Sequence, residues 1–237
     1  MTQPSPAIAT SSIDERKRAA AIAAVAEIRD GMLVGLGTGS TAHFAVEALG
    51  QAVARGLDVR AVATSRQTAT QAIALGIVLL KPAKVARIDL CIDGVDEIDP
   101  EFRAIKGAGG AMLREKIVAG MAARRIAIAD DSKAVGHLGT HPVPAEVLPH
   151  AQAFVTRKLR EIGCKAVLRL DGAGAPVLTD QDNIILDCHM AGPVDWAELA
   201  GHMDAIPGLM GHGLFLEEID ALFLGTAQGV ERRERAR

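Results

Sequence analysis

Met32-Leu33-Val34-Gly35-Leu36-Gly37-Thr38-Gly39-Ser40-Thr41-Ala42 (residues 32–42) passes from an apolar run into a glycine-rich turn and then into a segment of helical apolar spacing. Met32 to Gly37 predicts a short buried strand, and Thr41 to Gln51 predicts a helix opening behind the turn. A strand feeding a helix in this way is the first half of a βαβ unit, so the stretch points to an α/β fold around a parallel sheet. The turn's backbone N–H groups and the positive helix end offer an anion site, and Ser40 and Thr41 add hydroxyl donors. The glycines are spaced GxGxG and no GK[ST] follows, which argues against a dinucleotide fingerprint and a Walker loop. Taken alone, the loop is also compatible with a plain tight turn.

Working outward, Asp14 to Arg29 is an Ala-rich helix stopped by Asp30-Gly31. Downstream, Asp58 to Thr64 (strand), Gln67 to Leu75 (helix), Ile77 to Leu80 (strand), Ile88 to Asp93 (strand), Ala111 to Ala123 (helix) and Arg125 to Asp130 (strand) continue the alternation. The first 133 residues thus read as one open, doubly wound, mostly parallel, Rossmann-like sheet, whose ligands gather at the carboxyl ends of the strands. From His137 the texture changes, with Gly139, Pro142, Pro144 and Pro149 punctuating the chain. Pro142 to Val147, Ala151 to Ile162, Ala166 to Leu170, Asn183 to Met190, Trp196 to Ala205 and Leu209 to Leu216 then read as β-α-β-β-α-β, a ferredoxin-like α+β module. Ala221 to Gly225 is a last strand returning to the first sheet. The expected division is 1–138 with 212–237 as the Rossmann-like domain and 139–211 as the inserted one.

Composition narrows the function. With 3% aromatic residues, the core of this 237-residue chain must be built from Ala, Val, Ile and Leu, a palette suited to buried parallel strands. A net charge of -3 leaves no basic face for a nucleic acid, so an anionic ligand must be small and locally held. Cys91, Cys164 and Cys188 lack CxxC spacing and sit in apolar runs, as reduced core thiols of a cytoplasmic protein do. No apolar stretch reaches the roughly 20 residues that cross a bilayer, and Met1 to Ser12 reads as a frayed tail rather than a signal peptide. Glu231 to Arg237 reads as a solvated mixed-charge end.

Three further clusters carry chemistry. Asp93-Gly94-Val95-Asp96-Glu97-Ile98-Asp99 crowds four carboxylates behind a buried strand. Such crowding splits pKa values and lets one group donate a proton near neutrality while another stays ionised, although a solvated acidic turn is the plainer alternative. Lys106-Gly107-Ala108-Gly109-Gly110-Ala111 precedes a helix bearing Arg114-Glu115-Lys116. Its glycines allow close backbone approach, and a lysine at the loop mouth stabilises an oxyanion. Lys133 follows the strand ending at Asp130, and Lys17 reaches the same crevice from the first helix, so both are phosphate candidates. His137 and His141 are four apart, but Gly139 and Pro142 oppose the helix that zinc ligation at that spacing needs, and no metal is expected. There is no GxSxG elbow.

Together, GLGTGSTA (35–42), ATSRQT (63–68), DGVDEID (93–99), KGAGGAMLREK (106–116) and DDSK (130–133) resemble ribose-5-phosphate isomerase type A in letters, order and spacing, and the resemblance runs from about Asp14 to Gly229. It implies a doubly wound sheet with a ferredoxin-like lid before the last strand, no cofactor, and a homodimer or dimer of dimers. It implies that Glu115 is the general base, that Asp93 assists opening of the furanose ring, and that Lys106 with Asp96 steadies an enediolate. Thr38, Gly39, Ser40 and Thr41 match the substrate loop, Gly94, Val95, Gly107, Ala108 and Gly109 the remaining substrate contacts, and Lys17 and Lys133 the phosphate-binding lysines. Ala108 departs from the family's usual glycine and would be strained if that position required positive φ.

Two other classes compete. A non-catalytic sugar-phosphate sensor shares the fold, but a binder does not need Asp93, Asp96, Lys106 and Glu115 together. A nicotinamide dehydrogenase needs a different glycine spacing and a ribose-binding acidic residue downstream.

Overall fold

The computed structural model of the protein describes residues 11–236. The expected frayed tail therefore lies outside the described residues as far as position 10. Ser12 belongs to structure: its Oγ accepts from the Glu15 N–H while the Glu15 carboxylate accepts from the Ser12 N–H, a capping box that starts α1 (Ile13–Val25).

The predicted alternation follows, with β1 (Leu33–Leu36), α2 (Ser40–Ala54), β2 (Arg60–Ala63), α3 (Arg66–Ala74), β3 (Val78–Leu79) and β4 (Ile88–Gly94). Two short strands not read from the sequence, β5 (Glu97–Ile98) and β6 (Ala104–Ile105), precede α4 (Met112–Met121) and β7 (Ala122–Asp130). The inserted segment contributes β8 (Val143–Val147), α5 (Gln152–Glu161), β9 (Cys164–Leu168), β10 (Ile184–Met190), α6 (Trp196–Asp204) and β11 (Leu209–His212). β12 (Leu214–Phe215), β13 (Ala221–Thr226) and β14 (Gly229–Glu234) complete the chain.

The main sheet has the order β14-β13-β7-β4-β1-β2-β3 and is parallel except for the β13–β14 pair. α1, α2 and α3 pack on one face, where the fully buried Ala20, Ala21 and Ala24 let α1 approach closely. α4 packs on the other face, with Val118 against Cys91 and β1. The second sheet, β11-β8-β10-β9, is antiparallel and carries the ferredoxin-like strand order. Alternation along β8 sends Val143, Ala145 and Val147 into a core with α5 and α6. Pro144, on the opposite face, reaches Gly107, and Ile185 of β10 reaches Gly110. The inner face of the second sheet thus lies against the 107–110 loop.

Two expectations are corrected. Leu209 to Leu216 is not one strand: β11 pairs with β8, whereas β12 pairs with β6 in a separate three-stranded sheet. The switch falls at Gly213, whose N–H donates to the Pro144 carbonyl and whose carbonyl accepts from the Lys106 N–H. A Cβ there would stand 2.1 Å from the Lys106 carbonyl oxygen, so only glycine allows this crossing. Residues 231–234, read as part of a solvated end, form most of the edge strand β14; they are exposed, but their backbone bonds to β13. The charges Glu231, Arg232, Arg233 and Glu234 masked the strand pattern and suit a protected edge. No helix of the described residues is long and apolar enough to cross a membrane.

Candidate active site

The site is built at the carboxyl ends of β1, β4 and β7. β1 ends at Leu36, and a Cβ on the Gly37 that follows would stand 1.9 Å from Asp93 Oδ1; the glycine is required because that carboxylate occupies the space. The Thr38 N–H donates to the same oxygen at 3.1 Å. Below the loop, Thr38 Oγ1 bonds Thr64 Oγ1 at 2.8 Å and Thr68 Oγ1 at 3.2 Å, and Thr68 Oγ1 also donates to the Gly37 carbonyl. The ATSRQT segment therefore braces the loop from underneath.

α2 begins at Ser40 without a side-chain cap, and its first internal bond runs from the His43 N–H to the Gly39 carbonyl. The N–H groups of the first turn are left for a ligand, at the positive end of the helix. Lys17 Nζ donates to Ser40 Oγ at 3.0 Å. Arg16 bonds Asp131 at 2.7 Å and thereby ties α1 to the 3-10 turn Asp131–Lys133 that carries the second lysine. Two amines and a helix end so converge on one rim.

The cleft below this rim has a volume of about 270 Å³, the scale of a small metabolite. Lys17, Thr38, Gly39, Ser40, Thr41, Gly94, Val95, Asp96, Lys106, Gly107, Ala108, Gly109, Glu115 and Lys133 line it, so all but one of the residues singled out from the sequence converge there. Asp93 is the exception. It stands behind the lining, with Oδ1 accepting from Thr38 and Gly94 N–H groups and Oδ2 3.0 Å from Lys106 Nζ.

Lys106, Asp93 and Glu115 form a buried charge cluster. Lys106 Nζ donates to the Gly94 carbonyl, lies 3.0 Å from Asp93 and 3.4 Å from Glu115 Oε2, and sits over the Phe215 ring. Burial alone would push the ammonium down, but the Asp93 and Glu115 charges overcome it and hold Lys106 above its usual range. Burial, reinforced by the Asp93 charge, pushes Glu115 up to about 8, and burial raises Asp93 against the pull of Lys106. Among the described residues, Glu115 Oε2 has no hydrogen-bond partner. A carboxylate of raised pKa with an open oxygen is a proton acceptor; the ammonium beside it is an electrostatic anchor for a developing oxyanion.

The four carboxylates of 93–99 divide by role. Asp93 and Asp96 belong to the site, with Asp96 Oδ2 accepting the Ala108 N–H at 2.8 Å. Glu97 turns away and binds the junction segment through the Gly139 N–H, the His141 N–H and the His141 ring. Asp99 accepts from the Glu101 and Arg103 N–H groups and the Arg103 guanidinium. The sequence run did not distinguish these pairs, because the intervening β5 turns the chain. In the loop 107–110, positive φ falls on Gly107 and Gly110, not on Ala108, so the alanine is unstrained.

Sequence reasoning missed two residues of the inserted segment that bind the motif segments. Asp180 accepts the Arg66 N–H at 2.6 Å and the Arg114 guanidinium at 2.8 Å, while Arg169 donates to the Gly107 and Ala108 carbonyls. Neither lies in a motif. Their partners are more than 60 positions away, beyond the reach of spacing arguments. Cys91, Cys164 and Cys188 are buried free thiols, and burial holds the Cys91 thiol well above its usual range, which makes it inert.

Fold and cleft define a class: a doubly wound α/β protein with an anion-binding helix end beside a buried acid–amine proton-transfer cluster. The family model for ribose 5-phosphate isomerase A (phosphoriboisomerase A) matches residues 60–229. A ribose-5-phosphate isomerase A of Sphingopyxis alaskensis is 48% identical over 92% of this chain and 96% of its own. The structure of ribose 5-phosphate isomerase A from Methanocaldococcus jannaschii superposes with a TM-score of 0.90 at 36% identity, over 94% of this chain and all of that one. A D-ribose-5-phosphate isomerase in complex with phospho-erythronic acid superposes with a TM-score of 0.91, also at 36% identity, over 95% of this chain and all of that one. The chain belongs to the ribose 5-phosphate isomerase A family.

Proposed function

We propose that the cleft interconverts D-ribose 5-phosphate and D-ribulose 5-phosphate through a cis-enediolate, with Glu115 as the general base. The phosphate binds the free N–H groups at the start of α2, with Lys17, Lys133 and the Ser40 and Thr41 hydroxyls around it. Asp93, acting beside Lys106, assists opening of the furanose ring. In the open aldehyde, Glu115 removes the proton from C2, and the C–H electron pair forms the C1–C2 double bond as charge moves to O1. Lys106, Asp96 and the 107–109 amides steady the enediolate oxygens while a proton passes from O2 to O1. Glu115 then returns its proton to C1, leaving the ketone at C2. One proton leaves C2 and one is delivered to C1, so the reaction balances without an external oxidant or reductant.

The observation that carries this reading is the buried Lys106 ammonium between Asp93 and Glu115, at the foot of an anion-binding cleft. A sensor gains nothing from desolvating those charges. Residues 139–211 act as the lid domain on a catalytic domain of 1–138 and 212–237, and the enzyme works in the cytoplasm as a homodimer or a dimer of dimers, which sedimentation reads directly. The activity test is a coupled assay of ribose 5-phosphate conversion with and without a chelator. Turnover indifferent to the chelator supports the reading, and absence of turnover in well-folded protein overturns it.

A further inference from the structure

We infer that Arg169, held by Asp187, is a positioning residue that fixes the peptide planes of the catalytic loop so that the Ala108 N–H meets Asp96 and the Gly109 N–H points into the cleft. The inference rests on the proposed isomerase reading and adds a residue pair outside every motif of the sequence. Arg169 follows β9 and Asp187 lies on β10. Arg169 Nε donates to Asp187 Oδ2 at 2.9 Å, and Nη2 donates to Oδ1 of the same carboxylate, so the guanidinium is gripped on one edge. The free edge faces the loop, where Nη1 donates to the Gly107 carbonyl at 3.0 Å and to the Ala108 carbonyl at 2.9 Å. Both side chains are mostly buried, with 17% and 19% exposure, which restricts the pair to this geometry.

A trans peptide carries its C=O and N–H in opposite directions. With the Gly107 carbonyl turned to Arg169, the N–H of the same peptide, that of Ala108, points away and donates to Asp96 at 2.8 Å. With the Ala108 carbonyl also turned to Arg169, the Gly109 N–H is directed away from the lid, toward the cleft that Gly109 lines. It has no acceptor among the described residues. Gly109 stands beside Thr38 of the opposite loop, where a Cβ would lie 3.6 Å from the Thr38 methyl, so the free donor sits between the two substrate loops. The guanidinium charge also polarises the Ala108–Gly109 peptide and strengthens the free Gly109 N–H as a donor to an oxyanion. Within the loop, the Gly110 N–H donates to the Gly107 carbonyl at 3.0 Å, a turn bond that restrains the Gly107–Ala108 peptide but leaves the Ala108–Gly109 peptide unheld. Arg169 supplies the restraint on that second peptide through the Ala108 carbonyl.

The test compares wild type, R169A, R169K and D187N for kcat and KM with ribose 5-phosphate, for competitive inhibition by phospho-erythronic acid and by inorganic phosphate, and for thermal unfolding. Phospho-erythronic acid carries a carboxylate at the reacting end of the chain and probes the loop amides; inorganic phosphate probes only the α2 end. In R169A we expect kcat to fall roughly ten- to hundredfold, phospho-erythronic acid to bind about tenfold more weakly, and KM and phosphate inhibition to stay within about threefold. R169K, which cannot grip Asp187 and both carbonyls together, should recover only part of kcat, and D187N should show the same split in weaker form. If R169A fails to fold, R169K and D187N decide. Near-wild-type kcat in the folded variants, or equal weakening of phosphate and phospho-erythronic acid, would overturn the positioning role while leaving the isomerase reading intact. A wild-type protein without turnover would instead remove the reading beneath it.

Discussion

Lys106 Nζ stands 3.4 Å from Oε2 of Glu115, and both side chains are buried. An isolated pair of this kind would hold the carboxylate ionised and passive. Here Lys106 is shared with Asp93, 0.4 Å closer by the difference between 3.4 and 3.0 Å, and with the Gly94 carbonyl. Glu115 consequently keeps an oxygen without a hydrogen bond and a pKa above the usual carboxylate range. On the proposed reading, the cluster couples a base that accepts a proton near neutrality to a cation that stabilises the resulting oxyanion.

Glu115→Gln keeps the shape and removes the proton acceptor. The expected outcome is a kcat lowered by roughly 10² to 10⁴ with phosphate inhibition unchanged. Incorporation of deuterium from heavy water into recovered substrate should fall in parallel, because one carboxylate performs both transfers. A variant that still exchanges at the wild-type rate would exclude Glu115 as the base.

The pH profile follows from the causes of the shift. Glu115 must be ionised to accept a proton, so kcat/KM should rise with pH along an acid limb lying above the usual carboxylate range. Asp93 is a contributor to that elevation, second to burial. Asp93→Asn removes the negative neighbour and should move the limb to lower pH, even as the maximal rate falls. The substrate phosphate ionises near about 6 in both proteins, so the displacement between their profiles belongs to the cluster. Superimposable limbs would mean that Asp93 does not tune the base.

The sequence of strand, glycine turn and helix made the first sheet legible, because the Met32–Ala42 run combines an apolar stretch with a glycine-rich turn before a helical segment. The charged site was legible for the same reason: Lys106 and Glu115 lie nine positions apart on one loop and helix, and Asp93 stands near the end of the apolar strand β4. What stayed hidden depends on distant partners. β5 and β6 are two residues each and present no period, and the β11–β12 switch depends on the contact between Gly213 and Lys106. Arg169 belongs to no motif, and only the folded chain brings it to the Gly107 and Ala108 carbonyls.

Lys17 and Lys133 should separate binding from chemistry. Lys17 reaches Ser40 at the start of α2, and Lys133 lines the same cleft on the turn after β7. A charged hydrogen bond to phosphate is worth about 1.5 to 3 kcal/mol, so Lys17→Ala or Lys133→Ala should raise KM by roughly 10- to 100-fold. The rise should shrink at high salt, where screening already weakens the wild-type contact. Steady-state kinetics at two ionic strengths checks this, and a KM that stays at the wild-type value would move the phosphate elsewhere.

His212 predicts a stability change away from the chemistry. It is buried at the end of β11, its Nδ1 accepts the Leu214 N–H at 3.2 Å, and its Nε2 faces Asp204 at 3.2 Å. Burial and the Lys116 charge lower its pKa to about 4, with Asp204 and Glu218 opposing. Since the folded value lies below the ordinary 6.5, the unfolded chain takes up the proton first between those two pH values. The contribution is therefore complete above about pH 6.5 and declines toward about pH 4, by at most about 3 kcal/mol. Protonation would also turn Nδ1 into a donor facing the Leu214 N–H, breaking the bond that sets the β11–β12 switch. Urea unfolding of wild type and His212→Gln at about pH 7 and about pH 4.5 isolates this effect from the surface carboxylates, which both proteins share. The variant should lose less stability on acidification than wild type; equal losses would show that His212 is not the titrating group.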